Sequence, residues 1–431
     1  MEEIFTGQFT PVPWANDTNI YEVNLRQYTQ EGTFNAFLKE LPRLRHMGVE
    51  TLWFMPITPI SKEKRLGSLG SYYACSSYVQ TNPEYGSISD FTSLVAAAHD
   101  LGFKVLIDWV ANHTGWDHEW TTQHPDFYRR NLEGQFFDAH GWDDVIDLNY
   151  DNEALRTEMI RVMEFWVREC GIDGFRCDMA MLVPLDFWIA ARHHLDSIQP
   201  LFWLAECEDI PYHAAFDATY TWKWLHKMEA YSRNETPIAG LDEVLNFYDS
   251  MFPPAALRAF FTTNHDENSH SGSEYERLGA GAEAFAVFCC TWNGLPLIYS
   301  GQELPNKKRL KFFDKDFIEW NGHYALHDFF KKLLELRKRN PAMKAGDPDV
   351  VTERLHTDAN QFIFAFSRKN KQTGNEVVVV INLSAEVKHL VHITGSELTG
   401  RFTNLFSGAA KDFTEEKHFA LQPWEYQVYT R

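Results

Sequence analysis

The sequence lacks several features that common protein classes require. Its 431 residues include 40 Lys and Arg against 60 Asp and Glu, which gives a formal net charge of −20. Nucleic-acid binding depends on clustered basic side chains that neutralise phosphates, so we expect no nucleic-acid partner. The six cysteines show no metal-ligand spacing, and a chain of this length needs no disulfide framework.

Long apolar runs and a basic leader are missing as well. No stretch reaches the roughly 18 apolar residues that a membrane-spanning helix needs. Residues 1–8 contain neither a basic region nor a long apolar run. We therefore predict a cytoplasmic protein without a membrane partner, although a secreted chain already trimmed of its leader would look the same.

Aromatic side chains, by contrast, are abundant, at 15% of the chain with 14 Trp. Aromatic faces stack on sugar rings, so this composition suits carbohydrate binding. Large hydrophobic cores would explain it equally well, and the choice depends on where particular residues lie.

Apolar strands alternate with helical patterns up to Pro341. Strands are predicted at residues 19–25, 51–56 and 104–109, and a helix is predicted at residues 34–44. This rhythm predicts a parallel sheet. Beyond Pro341 the apolar period changes to two, which predicts a small antiparallel C-terminal domain.

Four of the apolar strands end in polar, titratable residues. The strands over residues 105–107, 172–177, 202–205 and 260–263 lead, in that order, to Asp108, Asp178, Glu206 and the pair His265 and Asp266. Parallel barrels deliver catalytic groups from the C-terminal ends of their strands, so we expect these residues to share one site.

Arg176 and Asp178 are two residues apart on one strand, so both side chains point to the same face. A neighbouring cation keeps a carboxylate ionised, and an ionised carboxylate can act as a nucleophile. From these residues alone, a structural ion pair at a strand end explains the pattern equally well.

The four segments, in this order, resemble the conserved regions of the α-amylase superfamily, glycoside hydrolase family 13. The resemblance implies an α/β fold, a (β/α)8 TIM barrel with a short excursion after strand three and a C-terminal antiparallel β domain. Residues 1–340 would form the catalytic barrel, including the excursion at residues 114–147. Residues 341–431 would form the β-sandwich-like C-terminal domain.

The resemblance assigns catalytic roles to three carboxyl groups. Glycoside hydrolysis needs one ionised carboxylate and one carboxyl group that keeps its proton. Asp178, beside Arg176, fits the ionised nucleophile, and Glu206, after four apolar residues, fits the desolvated acid. Asp266 would be the third carboxylate, which grips sugar hydroxyls and stabilises the oxocarbenium-like transition state.

The same resemblance implies a set of substrate-binding side chains. His113 and His265 would hydrogen-bond the sugar, and Tyr73 would form a stacking platform. Arg176 would complete the binding set, and Asp108 would shape the site.

Metal binding is a separate expectation from the resemblance. Asn112 and Asp147 match positions that often bind calcium in the family, through oxygen ligands that suit a hard cation. We expect no organic cofactor. Many family members carry a Lys-His pair three and four residues after the nucleophile, which helps to bind glucan beyond the cleaved bond. Met181 and Leu182 stand there in this chain, and this departure favours short malto-oligosaccharides over starch.

The predicted function is a retaining glycoside hydrolase that cleaves α-glucosidic bonds, above all α-1,4 bonds, in malto-oligosaccharides or starch-like glucans. A transglycosylase or isomerase on the same fold would share all four segments. A non-catalytic carbohydrate-binding relative would usually have lost carboxylates that are all present here. The sequence leaves hydrolysis against transfer open, together with α-1,4 against α-1,6 preference and endo against exo action.

Overall fold

The computed structural model describes residues 9–395 and 398–431, and its centre is a closed barrel. The strands up to the barrel's end are β1 (Ile20–Val23), β2 (Thr51–Phe54), β3 (Lys104–Trp109), β4 (His113–Gly115), β5 (Val145–Asp147), β6 (Gly174–Cys177), β7 (Phe202–Ala205), β8 (Ala218–Tyr220), β9 (Leu257–Phe260) and β10 (Leu295–Tyr299). All except β4 and β5 join the barrel, in the order β1-β10-β9-β8-β7-β6-β3-β2, with parallel pairing throughout. The predicted TIM barrel is therefore confirmed.

Helices connect the barrel strands. They are α1 (Leu25–Tyr28), α2 (Phe34–Phe37), α3 (Leu41–Met47), α4 (Ile88–Asp100), α5 (Trp120–Gln123), α6 (Glu153–Cys170), α7 (Leu185–Asp196), α8 (Trp222–Ser232), α9 (Ile238–Met251), α10 (Glu274–Leu278), α11 (Ala282–Thr291) and α12 (His327–Arg339). The helix predicted at residues 34–44 is divided by a 3₁₀ turn at Leu38–Glu40. Pro42 lies in the first turn of α3, where its missing N–H group costs no hydrogen bond, so it favours a new helix start there.

Close contact between β6 and β7 depends on a glycine. A Cβ atom on Gly174 would lie 2.0 Å from the carbonyl oxygen of Phe202. Only glycine allows this approach, and β6 and β7 pair in parallel from Gly174 and Phe202 onward. Their C-terminal ends, which lead to Asp178 and Glu206, are thereby held side by side.

The excursion after β3 contains its own small sheet. β4 and β5 pair antiparallel, with His113 opposite Asp147. The end of the excursion forms β5, which lies directly against β4, the segment that follows β3. The pairing brings the end of the excursion back to the barrel edge.

The C-terminal part is an antiparallel sheet, as predicted, with strand order β16-β15-β18-β13-β12-β11-β14-β17. These strands are β11 (Val350–Thr357), β12 (Ile363–Asn370), β13 (Glu376–Asn382), β14 (Lys388–Thr394), β15 (Arg401–Asn404), β16 (Ala410–Asp412), β17 (His418–Leu421) and β18 (Tyr426–Thr430). Alternate residues of this sheet pack into two different hydrophobic cores. On β12, Phe364 and Phe366 pack into the barrel's core, while Ile363 and Ala365 belong to a separate core of the sheet.

Two expectations from the sequence concern membrane-spanning helices and the cysteines. Within the described residues, every helix is too short or too polar to cross a membrane. All six cysteines are buried free thiols.

Candidate active site

A cavity of about 400 Å³ opens at the C-terminal ends of the barrel strands. Its lining includes five of the predicted site residues, namely Tyr73, His113, Asp178, Glu206 and Asp266. Small-molecule sites typically measure roughly 300–1,000 Å³, so the cavity suits a short ligand. The strand ends have therefore brought together residues that are far apart in the sequence.

Arg176 lies fully buried below the cavity and contacts several carboxyl groups. Its Nη1 donates to Asp108 Oδ1 at 2.9 Å and to Asp178 Oδ1 at 3.0 Å. Its Nη2 lies 2.9 Å from Glu206 Oε2, without the alignment of a hydrogen bond. Its Nε donates to the hydroxyl of Tyr220 at 3.1 Å. One guanidinium thus holds the ends of β3, β6 and β7 together.

The two predicted catalytic carboxyl groups differ in acidity. Burial raises the pKa of Glu206 to about 8, although Arg176 opposes the shift. Burial also raises the pKa of Asp178, but only to about 6, again against Arg176. Pairs of carboxyl groups whose pKa values are pushed apart separate acid and base roles. Between these two values, Asp178 is ionised while Glu206 keeps its proton.

Asp266 forms a unit with His265. Burial favours the protonated form of Asp266, but the neighbouring His265 outweighs this and lowers its pKa. The Nε2 atom of His265 lies 3.1 Å from Asp266 Oδ2 and 2.6 Å from the hydroxyl of Tyr73. The rings of Tyr73 and His265 stack with their centroids 5.4 Å apart. The third carboxylate is therefore ionised and fixed beside the aromatic platform.

Aromatic side chains form two walls of the cavity. Trp142, from the excursion, meets His113 edge to face at a centroid distance of 5.4 Å. Phe312 lies parallel to Tyr73, with ring centroids 6.3 Å apart, and Phe313 follows it in the lining. Burial lowers the pKa of His113 to about 4, so its imidazole is neutral at the mouth of the site.

Sequence reasoning missed part of this constellation. Glu22 contacts the predicted residue His265, and Trp53 contacts the predicted residue Asp108. The missed residues in the cavity walls are Trp142, Phe312 and Phe313. A charged residue inside the buried strand Ile20–Val23 was a usable signal for Glu22. Phe312 and Phe313 lie in an aperiodic loop after β10, where no sequence pattern predicts that a side chain lines the cavity.

A cluster of candidate cation ligands lies in the excursion. Side-chain ligand atoms of Asp138, His140 and Asp147 all lie within 4.8 Å of one another. Asp138 Oδ2 and Asp147 Oδ2 accept backbone N–H groups, whereas both Oδ1 atoms are buried without a hydrogen-bond partner among the described residues. The predicted calcium position Asp147 is part of this cluster. The other, Asn112, has its side-chain nitrogen 3.2 Å from the His113 ring.

Comparisons with known proteins place these features in one family. Residues 12–216 match the sequence profile of the "Alpha amylase, catalytic domain", and residues 355–427 match the "Alpha amylase, C-terminal all-beta domain". The chain is 27% identical over 423 residues to the alpha-amylase MalA of Haloarcula japonica, covering 93% of this chain and 60% of that protein. It is also 27% identical over 396 residues to an alpha-1,4-glucan:maltose-1-phosphate maltosyltransferase of Corynebacterium glutamicum, covering 82% of this chain and 56% of that protein.

A solved alpha-amylase structure shares the fold of this chain. The maltogenic alpha-amylase AmyB from Thermotoga neapolitana superimposes with a TM-score of 0.88 at 27% identity, covering 96% of this chain and 99% of that one. The chain spans less than two thirds of the length of the two sequence relatives named above. On the profiles of both parts, the relatives and the shared fold, the chain belongs to the α-amylase superfamily, glycoside hydrolase family 13.

Proposed function

We propose that the protein is a retaining hydrolase of α-1,4-glucosidic bonds in short malto-oligosaccharides. One observation carries this proposal. Asp178 and Glu206 open on one cavity, contact one guanidinium, and have pKa values pushed apart to about 6 and about 8. Retaining glycosidases need such a pair, one group ionised and the other protonated, at close range.

In the proposed reaction, the Asp178 carboxylate attacks the anomeric carbon while Glu206 donates its proton to the leaving glycosidic oxygen. A covalent glycosyl-enzyme forms with inverted configuration. Glu206, now ionised, takes a proton from water, whose oxygen attacks the same carbon, displaces the Asp178 carboxylate and inverts the configuration again. Asp266 carries a negative charge beside the cavity throughout and stabilises the positive charge that develops on the sugar ring.

The walls support a neutral sugar as ligand. Tyr73 and Phe312 on one side and Trp142 on the other supply aromatic faces, and Asp266 and His113 supply hydrogen-bonding groups between them. Aromatic and other apolar walls with a few placed polar groups are typical of small-molecule sites. The limited volume supports short malto-oligosaccharides over long starch chains.

Transfer to an acceptor is the second candidate reaction, because one of the relatives is named a maltosyltransferase. The glycosyl-enzyme would be the same, and a sugar hydroxyl or a phosphate oxygen would replace water in the second step. The products of maltoheptaose distinguish the two. Hydrolysis gives only shorter chains, whereas transfer between maltoheptaose molecules also gives chains longer than the substrate.

We further propose that a calcium ion stabilises the excursion without a part in the chemistry. The donor set fits a hard cation, because Asp138 and Asp147 each present a buried carboxylate oxygen without a hydrogen-bond partner among the described residues. Asn112 directly precedes His113, which pairs with Asp147, so this ion would tie the excursion to the barrel edge. Its contribution would be to the rigidity of the wall that carries Trp142.

The catalytic roles are tested with two variants and two substrates. Fluoride leaves a sugar with little protonation, whereas a sugar alkoxide needs an acid. Glu206→Gln should therefore lose about 10²–10⁴-fold activity on maltoheptaose and keep substantial turnover of α-glucosyl fluoride. Asp178→Asn should fail on both substrates. Proton NMR of the wild-type reaction should show the α-anomer first. Initial release of the β-anomer, or retained turnover of the fluoride by Asp178→Asn, would overturn the assignment.

A further inference from the structure

Glu22 is a buried carboxyl group to which the proposed mechanism gives no role. It lies on β1, is 0% exposed, and is not among the residues that line the cavity. Its Oε1 atom is 2.5 Å from Nδ1 of His265 and also accepts the His265 backbone N–H at 3.3 Å. A buried carboxyl group on the far side of a binding-site imidazole is costly unless its partner is fixed and charged.

We propose that Glu22 is a positioning residue that holds His265 as an imidazolium ion with both ring N–H directions fixed. This proposal rests on the function proposed above, because it concerns the same site. Through His265, Glu22 orients the Tyr73 platform and keeps Asp266 ionised. It would act on the reaction without touching the substrate.

Hydrogen-bond accounting carries the argument. The hydroxyl of Tyr73 has one proton, and it donates this proton to Asp108 Oδ2 at 3.1 Å. Its oxygen is also 2.6 Å from His265 Nε2, so Nε2 must be the donor in that contact. On the other side of the ring, an ionised Glu22 can only accept, so Nδ1 must carry a proton too. An imidazole with protons on both nitrogens is a cation.

The electrostatic surroundings agree with a cationic ring. Burial opposes the charge of His265, but Asp266 and Glu22 outweigh it and raise its pKa well above the usual range. Farther groups act on those partners. Burial raises the pKa of Glu22, and His265 and Arg176 oppose that shift by favouring its ionised form. Arg176 also helps His265 to lower the pKa of Asp266, and Asp108 lies across the Tyr73 hydroxyl. The ring is thus the positive member between two carboxylates, that of Glu22 on β1 and that of Asp266 beyond the end of β9.

Removal of the charge on Glu22 should reverse the direction of the hydrogen bond between His265 Nε2 and the Tyr73 hydroxyl. With a neutral ring, Nε2 becomes an acceptor, and Tyr73 must turn its proton away from Asp108. Asp266 also loses the cation that lowers its pKa. Because a lower His265 pKa leaves less imidazolium at higher pH, the defect should deepen as pH rises.

The test compares Glu22→Gln with a matched control, Glu274→Gln. Glu274 is likewise a buried carboxyl group, but it contacts Gln302 and Thr262 instead of a catalytic-site ring. We expect Glu22→Gln to lower kcat/KM on maltoheptaose by about 10- to 100-fold, as for loss of a hydrogen bond to a charged group, with a larger loss at pH 7.5 than at pH 5.5. Glu274→Gln should stay near wild type.

Nitrogen-15 NMR of the His265 ring gives a readout independent of activity. The wild type should show two protonated nitrogens from pH 5.5 to 8, and Glu22→Gln should show a ring that loses a proton within that range. A neutral His265 in the wild type would overturn the proposal even if the variant does not fold. Equal losses in both variants, or an unchanged ring signal in Glu22→Gln, would overturn it as well. A wild type without glycosidase activity would instead contradict the proposed function, and the NMR result would still decide the role of Glu22.

Discussion

The protonated state of Glu206 at neutral pH should be visible as a cost to stability. The side chain is buried beside Asp178, and burial is the main reason that its pKa is raised to about 8. In the unfolded chain a glutamate titrates near pH 4.3. Replacement by Gln keeps the shape of the protonated carboxyl group and removes its titration.

The size of the effect follows from the difference between these two pKa values. A group whose pKa is raised on folding stabilises the protein fully below the unfolded value, and this contribution is lost as pH rises toward the folded value. Between pH 5 and pH 8 the wild type should lose roughly 3 kcal/mol from this group, while Glu206→Gln loses nothing from it. The variant should therefore gain in relative stability as pH rises.

Thermal melting at pH 5, 6.5 and 8 measures this difference. We expect the Tm of Glu206→Gln to exceed that of the wild type by a few degrees more at pH 8 than at pH 5. Glu133→Gln, at an exposed position of the excursion, controls for loss of a negative charge and should show a constant difference. A difference for Glu206→Gln that does not change with pH would mean that Glu206 titrates normally. In that case it could not serve as the acid at neutral pH.

Three further predictions concern activity and metal binding. The kcat/KM for maltoheptaose should rise as pH rises through about 6, where Asp178 ionises, and should fall as pH rises through about 8, where Glu206 loses its proton. A maximum of kcat/KM above pH 9 would contradict both roles. A chelator should lower the Tm of the wild type but not that of Asp138→Asn, and metal analysis should find calcium only in the wild type. An equal Tm of the wild type with and without chelator would count against the ion. Specific activity on maltoheptaose should exceed that on soluble starch, because Met181 and Leu182 replace the Lys-His pair; clearly higher activity on starch would refute this preference.

The barrel was predictable because its strands are short apolar segments with clear ends. The strand predicted at residues 104–109 has the same bounds in the structure. Predicted bounds were less accurate where a special residue intervenes. The strand before Asp178 was predicted from residue 172 but begins at Gly174, where β6 must approach β7 closely.

The site was predictable where a functional side chain directly follows a strand. Asp178 and Glu206 each follow a barrel strand, and parallel strands present their ends on the same face. Phe312 was not predictable, since its position depends on a long loop that returns across the barrel to Tyr73. The cation cluster was predictable only in part, because Asp138 reaches Asp147 through an aperiodic segment.

The proton on Glu206 is a consequence of the charges of the whole site. Arg176 and His265 lie among several carboxyl groups, those of the buried Glu22, Asp108, Asp178 and Glu206 and that of the half-buried Asp266. Two cations cannot stabilise that many ionised carboxylates at low dielectric, so protons must remain on the least stabilised of them.

Glu206 is the least stabilised carboxyl group of this set as an anion. Asp108 and Asp178 each accept an aligned hydrogen bond from Arg176, and Asp266 has His265. Glu206 has an unaligned contact with Arg176 and one backbone N–H, from Met179. The same guanidinium lowers the pKa of both Asp178 and Glu206, but its better alignment with Asp178 favours ionisation there first. In the proposed mechanism, the orientation of Arg176 toward β6 would therefore decide which carboxyl group attacks and which one donates a proton.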